Sequence, residues 1–172
     1  TNLNSMYVVV PRGHTSQSYT PTGTDGMMFT ARHGYVGFAV EQQEFITEGL
    51  NEHGLSAGLF YFPHFGEYVP YNPEHKSRTI SDFQLVSYIL GECATIDEVK
   101  AAVARIDIVN IDPRSSTVHW RFIDSTGHQV VMEIDNGCAA RRRQRTTSSC
   151  AARNTGMSES ACFHPARNRS YA

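Results

Sequence analysis

The sequence predicts an α+β domain built on a largely antiparallel sheet, and three observations carry that prediction. Strand-like segments crowd into residues 5–62, two helical patterns follow one another over 79–106, and an alternating hairpin spans 117–134. Runs of like elements, in place of strict strand–helix alternation, mark a layered α+β architecture.

The elements follow in order. Ser5–Pro11 is β-branched and aromatic, a strand closed by proline. His14–Gly26 is rich in Thr, Ser, Gly and Pro and reads as a loop. Met27–Val40 offers two short strands split by His33-Gly34. Phe45–Leu50 and Leu55–Phe62 flank Asn51-Glu52-His53-Gly54, a four-residue connection ending in glycine that suits a hairpin. Pro63 to Pro73 breaks the pattern. Ile80, Phe83, Val86, Ile89 and Leu90 then recur at helical spacing, with Thr79 and Asp82 as a capping pair and Gly91 as the C-cap. Ile96, Val99, Val103 and Ile106 form the stripe of a second helix, opened by the capping box Thr95-Ile96-Asp97-Glu98. Thr117–Ile123 and His128–Ile134 alternate around the turn Asp124-Ser125-Thr126-Gly127.

Composition divides the chain. The 172 residues are 40% hydrophobic and 19% charged, with a formal charge of −2, which excludes neither a core nor a globular domain and gives no reason to expect nucleic acid or an anionic membrane. No apolar run approaches the roughly 20 residues of a membrane span. Residues 1–137 hold 8 basic and 16 acidic groups, whereas 138–172 hold 7 arginines and only Glu159. The second piece has no Ile, Leu or Val and carries Cys138, Cys150 and Cys162. Without branched aliphatics it cannot bury enough area to offset ordering entropy, so it is expected to be unpacked. Three readings stay open for it. Arg141-Arg142-Arg143-Gln144-Arg145 could be a nucleic-acid arm, though basic runs are usually solvated. The cysteines could form a metal or disulfide module, though they stand 12 apart with no C-x-x-C pair. The abrupt break favours the third, a segment read from a shifted frame and foreign to the domain.

The residues alone show little chemistry. There is no G-x-G-x-x-G, P-loop, H-E-x-x-H or G-x-S-x-G. The histidines show no i, i+4 pairing on a helix, so their spacing indicates no metal cluster. Cys93 lies beside Glu92 and Asp97, which raise a thiol pKa, and is rejected as a nucleophile.

Specific resemblance begins at Thr47-Glu48-Gly49-Leu50-Asn51-Glu52-His53-Gly54-Leu55 and continues through Ser56-Ala57-Gly58-Leu59-Phe60-Tyr61-Phe62-Pro63. This stretch closely resembles the D/E-G-x-N-E-K-G-L hairpin and following small-residue strand of the choloylglycine hydrolase and penicillin V acylase family. Val8-Val9-Val10-Pro11-Arg12 resembles that family's V/I-F-P-R strand, helix 95–106 its T/S-V-E-E-V-K helix, and Thr117-Val118-His119-Trp120 its T-L-H-W strand. Asp124-Ser125-Thr126-Gly127 matches its D-x-x-G turn. The matches keep their order over residues 2 to about 136.

The resemblance implies a partial αββα sandwich of the N-terminal-nucleophile hydrolases, with two antiparallel sheets between helix layers. It implies hydrolysis of linear amide bonds, as in bile-salt conjugates or penicillin V, with no cofactor and no metal. A cysteine at the mature N-terminus attacks, and its own α-amino group takes the thiol proton; comparable pKa values make that transfer cheap near neutral pH. The family's Cys, and the Arg and Asp after it, lie upstream of the V-F-P-R strand, and a later Asn and Arg lie beyond the strand ending at Ile134. The chain is therefore expected to be an inactive fragment of a cysteine amidase.

The surviving family position is Tyr61, whose backbone N–H contributes to the oxyanion hole. An Asn there is typical of bile-salt hydrolases and a Tyr of penicillin V acylases. Thr47, Ser116, Val118 and, more weakly, Ile111 align with substrate-binding positions; sheet packing is the equal alternative for Thr47 and Val118. The intact protein is expected to be a homo-oligomer acting on a small-molecule amide, in cytoplasm or periplasm. The rival expectation is a non-catalytic binding or scaffold module that kept the sandwich.

Overall fold

The computed structural model describes residues 4–61, 66–112, 117–134 and 161–165, the last with the side chain of Phe163 alone. Its strands are β1 (Ser5–Val10), β2 (Thr15–Gln17), β3 (Met28–Thr30), β4 (Tyr35–Val40), β5 (Ile46–Asn51) and β6 (Ser56–Tyr61). β7 (Thr79–Ser81) leads into a 3-10 turn at Asp82–Gln84, then helices α1 (Leu85–Glu92) and α2 (Ile96–Val103). β8 (Asp107–Val109), β9 (Val118–Ile123), β10 (Gln129–Ile134) and β11 (Ala161–Pro165) complete the order.

Seven strands form one sheet in the order β1-β4-β5-β6-β9-β10-β11, antiparallel at every pairing. The α+β class is as the sequence predicts, and both hairpins fall where expected. β4 shows why one face is packed: Tyr35, Gly37 and Ala39 are buried while Val36 and Phe38 are exposed, the period of a half-covered strand. α1 packs on the covered face against β5 and β6. Its close approach depends on Gly49, where an added Cβ would stand 2.6 Å from Leu90 Cδ1. Trp120, Phe122, Met132, Ile46, Leu85 and Val99 are fully buried between sheet and helices. Each such side chain contributes about 1.5–3 kcal/mol. The opposite face keeps Tyr7, Val9, Val36, Phe38, Leu50 and Phe60 exposed. Among the described residues no helix is long and apolar enough to cross a membrane.

The helical stretch starts later than its spacing suggests. Thr79–Ser81 is a strand, paired parallel to Asp107–Val109, and α1 begins only at Leu85. A β-branched Thr-Ile pair with a distant partner strand outweighs the helical spacing there. Gly91 lies inside α1, where a Cβ would meet Ala31 at 3.2 Å, so close packing, not C-capping, explains it. The α2 capping box forms as expected: Thr95 Oγ1 accepts from the Glu98 N–H at 3.3 Å, and Glu98 Oε2 from the Thr95 N–H at 3.2 Å.

The expectation of an unpacked 138–172 fails at one place. Ala161–Pro165 pairs with β10, and Phe163, opposite Met132, packs against the core. The open edge of β10 supplies unpaired backbone groups, and one aromatic ring replaces the missing aliphatics. Residues 138–160 and 166–172, with the arginine run and Cys138 and Cys150, lie outside the described residues.

Candidate functional site

The candidate site lies at the end of the large sheet where β6 finishes and β9 starts. Tyr61 is the last residue of β6 and stands directly opposite Val118, the first of β9. The neighbouring pair is Phe60 and His119, whose rings stack with centroids 5.5 Å apart. Tyr61 is 68% exposed, whereas Val118 is 3% exposed and belongs to the core.

The direction of the Tyr61 N–H follows from its partner. The Val118 N–H donates to the phenol oxygen of Tyr68. Opposed residues of an antiparallel pair either exchange both backbone bonds or neither. Tyr61–Val118 is therefore the kind of pair that exchanges neither, and the Tyr61 N–H is directed away from β9, toward the side of β5. There the β5–β6 pairing has already stopped, at Glu48–Gly58.

Tyr68 ties this strand end to a buried acid. Its hydroxyl donates to Asp82 Oδ2 at 3.1 Å, and the Asp82 carboxylate also accepts from the backbone N–H groups of Phe83 and Ile111. Burial pushes the Asp82 carboxyl up to about 6, against the lowering effect of those donors. Burial first, and then the Asp82 charge, push the Tyr68 phenol far above its ordinary value. Val118 and Ile111, which the sequence analysis named, are thus joined through their backbones by Tyr68, which it did not name, and by Asp82, which it read as a helix cap and the structure shows as a buried acid. The one available signal was a carboxylate set between Ile80 and Phe83, two residues of the apolar stripe.

Thr47 stands one residue past the end of the β5–β6 pairing, at the same end of the sheet as Tyr61. It is the extra residue of a β-bulge between β4 and β5, half-buried, with Oγ1 donating to the Phe38 carbonyl at 3.2 Å. Ile111 is half-buried after β8. Ser116 lies outside the described residues. A shallow cleft elsewhere, lined by Val10, His14, Phe29, Tyr35, Gln84 and Ser87 among others, contains none of the named site residues. Cys93 is buried and free; burial, then Glu98 and Glu92, push its thiol up to about 12, which is the opposite of nucleophilic activation.

Known proteins match this frame. A bile salt hydrolase/transferase of Clostridium perfringens is 27% identical over 110 residues, covering 60% of this chain and 33% of that protein. Among solved structures, a conjugated bile acid hydrolase from Clostridium perfringens superposes with a TM-score of 0.64 at 22% identity, covering 79% of this chain and 42% of that one. The penicillin V acylase from Agrobacterium tumefaciens gives a TM-score of 0.65 at 23% identity, covering 77% of this chain and 39% of that one. The chain thus spans about a third of the length of the curated relative. Residues 1–138 match the linear amide C–N hydrolases of the choloylglycine hydrolase type, and the chain belongs to that family.

Proposed function

We propose that the chain is a fragment of a longer cysteine amidase, which cleaves an amide between an apolar acyl group and a small polar amine. The observation that carries this reading is the position of Tyr61: exposed at the strand end, with its N–H directed away from β9. A backbone N–H so placed can donate to the oxygen of a tetrahedral intermediate, and one such donor is worth about 10²–10³ in turnover. In this reading Thr47, Ser116, Val118 and Ile111 are the substrate-binding positions. The nucleophilic cysteine, its α-amino base, the Arg and Asp after it, and the later Asn and Arg come from sequence outside this chain. Tyr61 favours a penicillin V-type acyl group over a bile-salt conjugate, and the intact protein works as a homo-oligomer. The exposed apolar face formed by Tyr7, Val9, Val36, Phe38, Leu50 and Phe60 supports burial against further protein in that assembly.

The test has two arms. The 172-residue chain should release no amine from glycocholate or penicillin V above a boiled control. The open reading frame that contains it should encode a cysteine shortly after the initiator Met and hydrolyse penicillin V faster than glycocholate. Turnover by the short chain would refute the missing nucleophile. An upstream sequence without that cysteine would favour a non-catalytic module.

A further inference from the structure

Away from the strand end, the tip of the β5–β6 hairpin meets the β3–β4 connection, and three groups with metal-binding chemistry converge. The ligand-capable atoms of His33, Glu52 and His53 all lie within 4.8 Å of one another, and the two imidazole rings stand 4.3 Å apart between centroids. We infer that His33, His53 and Glu52 form a binding site for a divalent transition cation of the zinc, copper or nickel type.

The backbone under each residue is fixed. The His33 N–H donates to the Gly91 carbonyl at the end of α1, at 3.0 Å. The His53 N–H donates to Oδ1 of the buried Asn51 at 3.0 Å, and the Glu52 N–H to the Gly34 carbonyl at 3.0 Å. The Glu52 carboxylate is oriented as well. Oε1 accepts from Arg12 Nε and from the Gly34 N–H, each at 2.7 Å, and Oε2 accepts from Arg12 Nη2 at 2.6 Å. Two oxygens offer about four lone-pair directions, so Oε2 keeps one free. Arg12 and Gly34 then act as the outer partners that aim a ligating carboxylate. Imidazoles with a carboxylate suit zinc, copper and nickel better than calcium or magnesium. Tetrahedral bonds of about 2.0–2.1 Å need ligand atoms about 3.3 Å apart, which small rotations of these exposed or half-exposed side chains reach. His53 stands where the family's hairpin motif has lysine, so the site belongs to this chain and not to the family pattern.

The test uses the whole chain with its accessible thiols alkylated, so that the cysteines outside the described residues cannot compete. Sub-stoichiometric Cu²⁺ should broaden the ring NMR signals of His33 and His53 before those of the other six histidines. In calorimetric titration with Zn²⁺, His33→Ala and His53→Ala should each weaken binding more than about tenfold, more than the loss of a supporting contact costs at its lower bound. His128→Ala should change nothing, and saturating Zn²⁺ should raise the melting temperature of the wild type but not of the variants. Broadening centred on other histidines, or unchanged Zn²⁺ affinity when His33 and His53 are both replaced, overturns the inference.

Discussion

Replacing Asn51 tests how the hairpin that carries Tyr61 is held to the helix layer. Asn51 is buried and makes four hydrogen bonds with its side chain. Nδ2 donates to the carbonyls of Leu90 at 2.9 Å and Cys93 at 2.7 Å, while Oδ1 accepts from the N–H groups of His53 and Leu55, both at 3.0 Å. One amide therefore caps the last turn of α1 and closes the turn after β5. Asn51→Ala strands the Leu90 and Cys93 carbonyls and the Leu55 N–H in the interior, while water reaches the N–H of the exposed His53. At about 1–3 kcal/mol for each of the three buried groups left unpaired, the expected loss is at least about 3 kcal/mol. For a domain of this size that is a fall of at least roughly 6 °C in melting temperature. Asn51→Asp separates the halves, since a carboxylate still accepts from the turn but repels the two carbonyls. Its stability should recover as pH falls and the carboxyl regains a donor proton. Urea titration and thermal melting followed by circular dichroism measure both. A loss below about 1 kcal/mol for Asn51→Ala, or an Asn51→Asp variant as stable as wild type at neutral pH, would refute this account of the hairpin.

Two further outcomes follow from the buried groups. The folded-state pKa of Asp82 is raised to about 6 from an ordinary 3.8. The folded protein therefore binds more protons than the unfolded chain between those values, and this carboxyl makes stability fall as pH rises from about 4 to about 6, by at most about 3 kcal/mol. Asp82→Asn should flatten that part of the stability–pH curve, and parallel curves for variant and wild type would count against the buried acid. Cys93, with its thiol pushed up to about 12, should stay unmodified when the folded chain meets a thiol reagent at pH 8 and should react on unfolding; mass spectrometry of the labelled peptide reads this directly. Labelling of Cys93 in the folded chain would contradict its burial.

The legible parts of this chain were those set by neighbours in sequence. The hairpins at 46–61 and 118–134 follow from period-2 alternation around Gly54 and Gly127, both at positive φ. The α2 start follows from a capping box that spans four residues. What stayed hidden rests on contacts between distant segments. Thr79–Ser81 reads as the first turn of a helix until Asp107–Val109 pairs with it. Gly91 reads as a cap until Ala31 is seen against it. β11 forms because β10 offers an edge, which no property of residues 161–165 announces. The same holds for the sites. Tyr61 was proposed through its strand motif, but Tyr68 and Asp82, 14 residues apart, meet only in the fold. His33 lies 20 residues before His53, so no helical i, i+4 spacing exists for a sequence reading to detect.

The most direct measurement of the central claim concerns the backbone of Tyr61 in the amidase proposed for the complete open reading frame. Tyr61→Pro removes the N–H and Tyr61→Phe keeps it, and both leave the ladder to β9 free of a lost donor because the Tyr61–Val118 pair exchanges no backbone bonds. The account predicts that Tyr61→Pro lowers kcat on penicillin V by about 10²–10³-fold with the melting temperature unchanged, while Tyr61→Phe stays near wild type. Full turnover by Tyr61→Pro, or an equal loss in Tyr61→Phe, would contradict it.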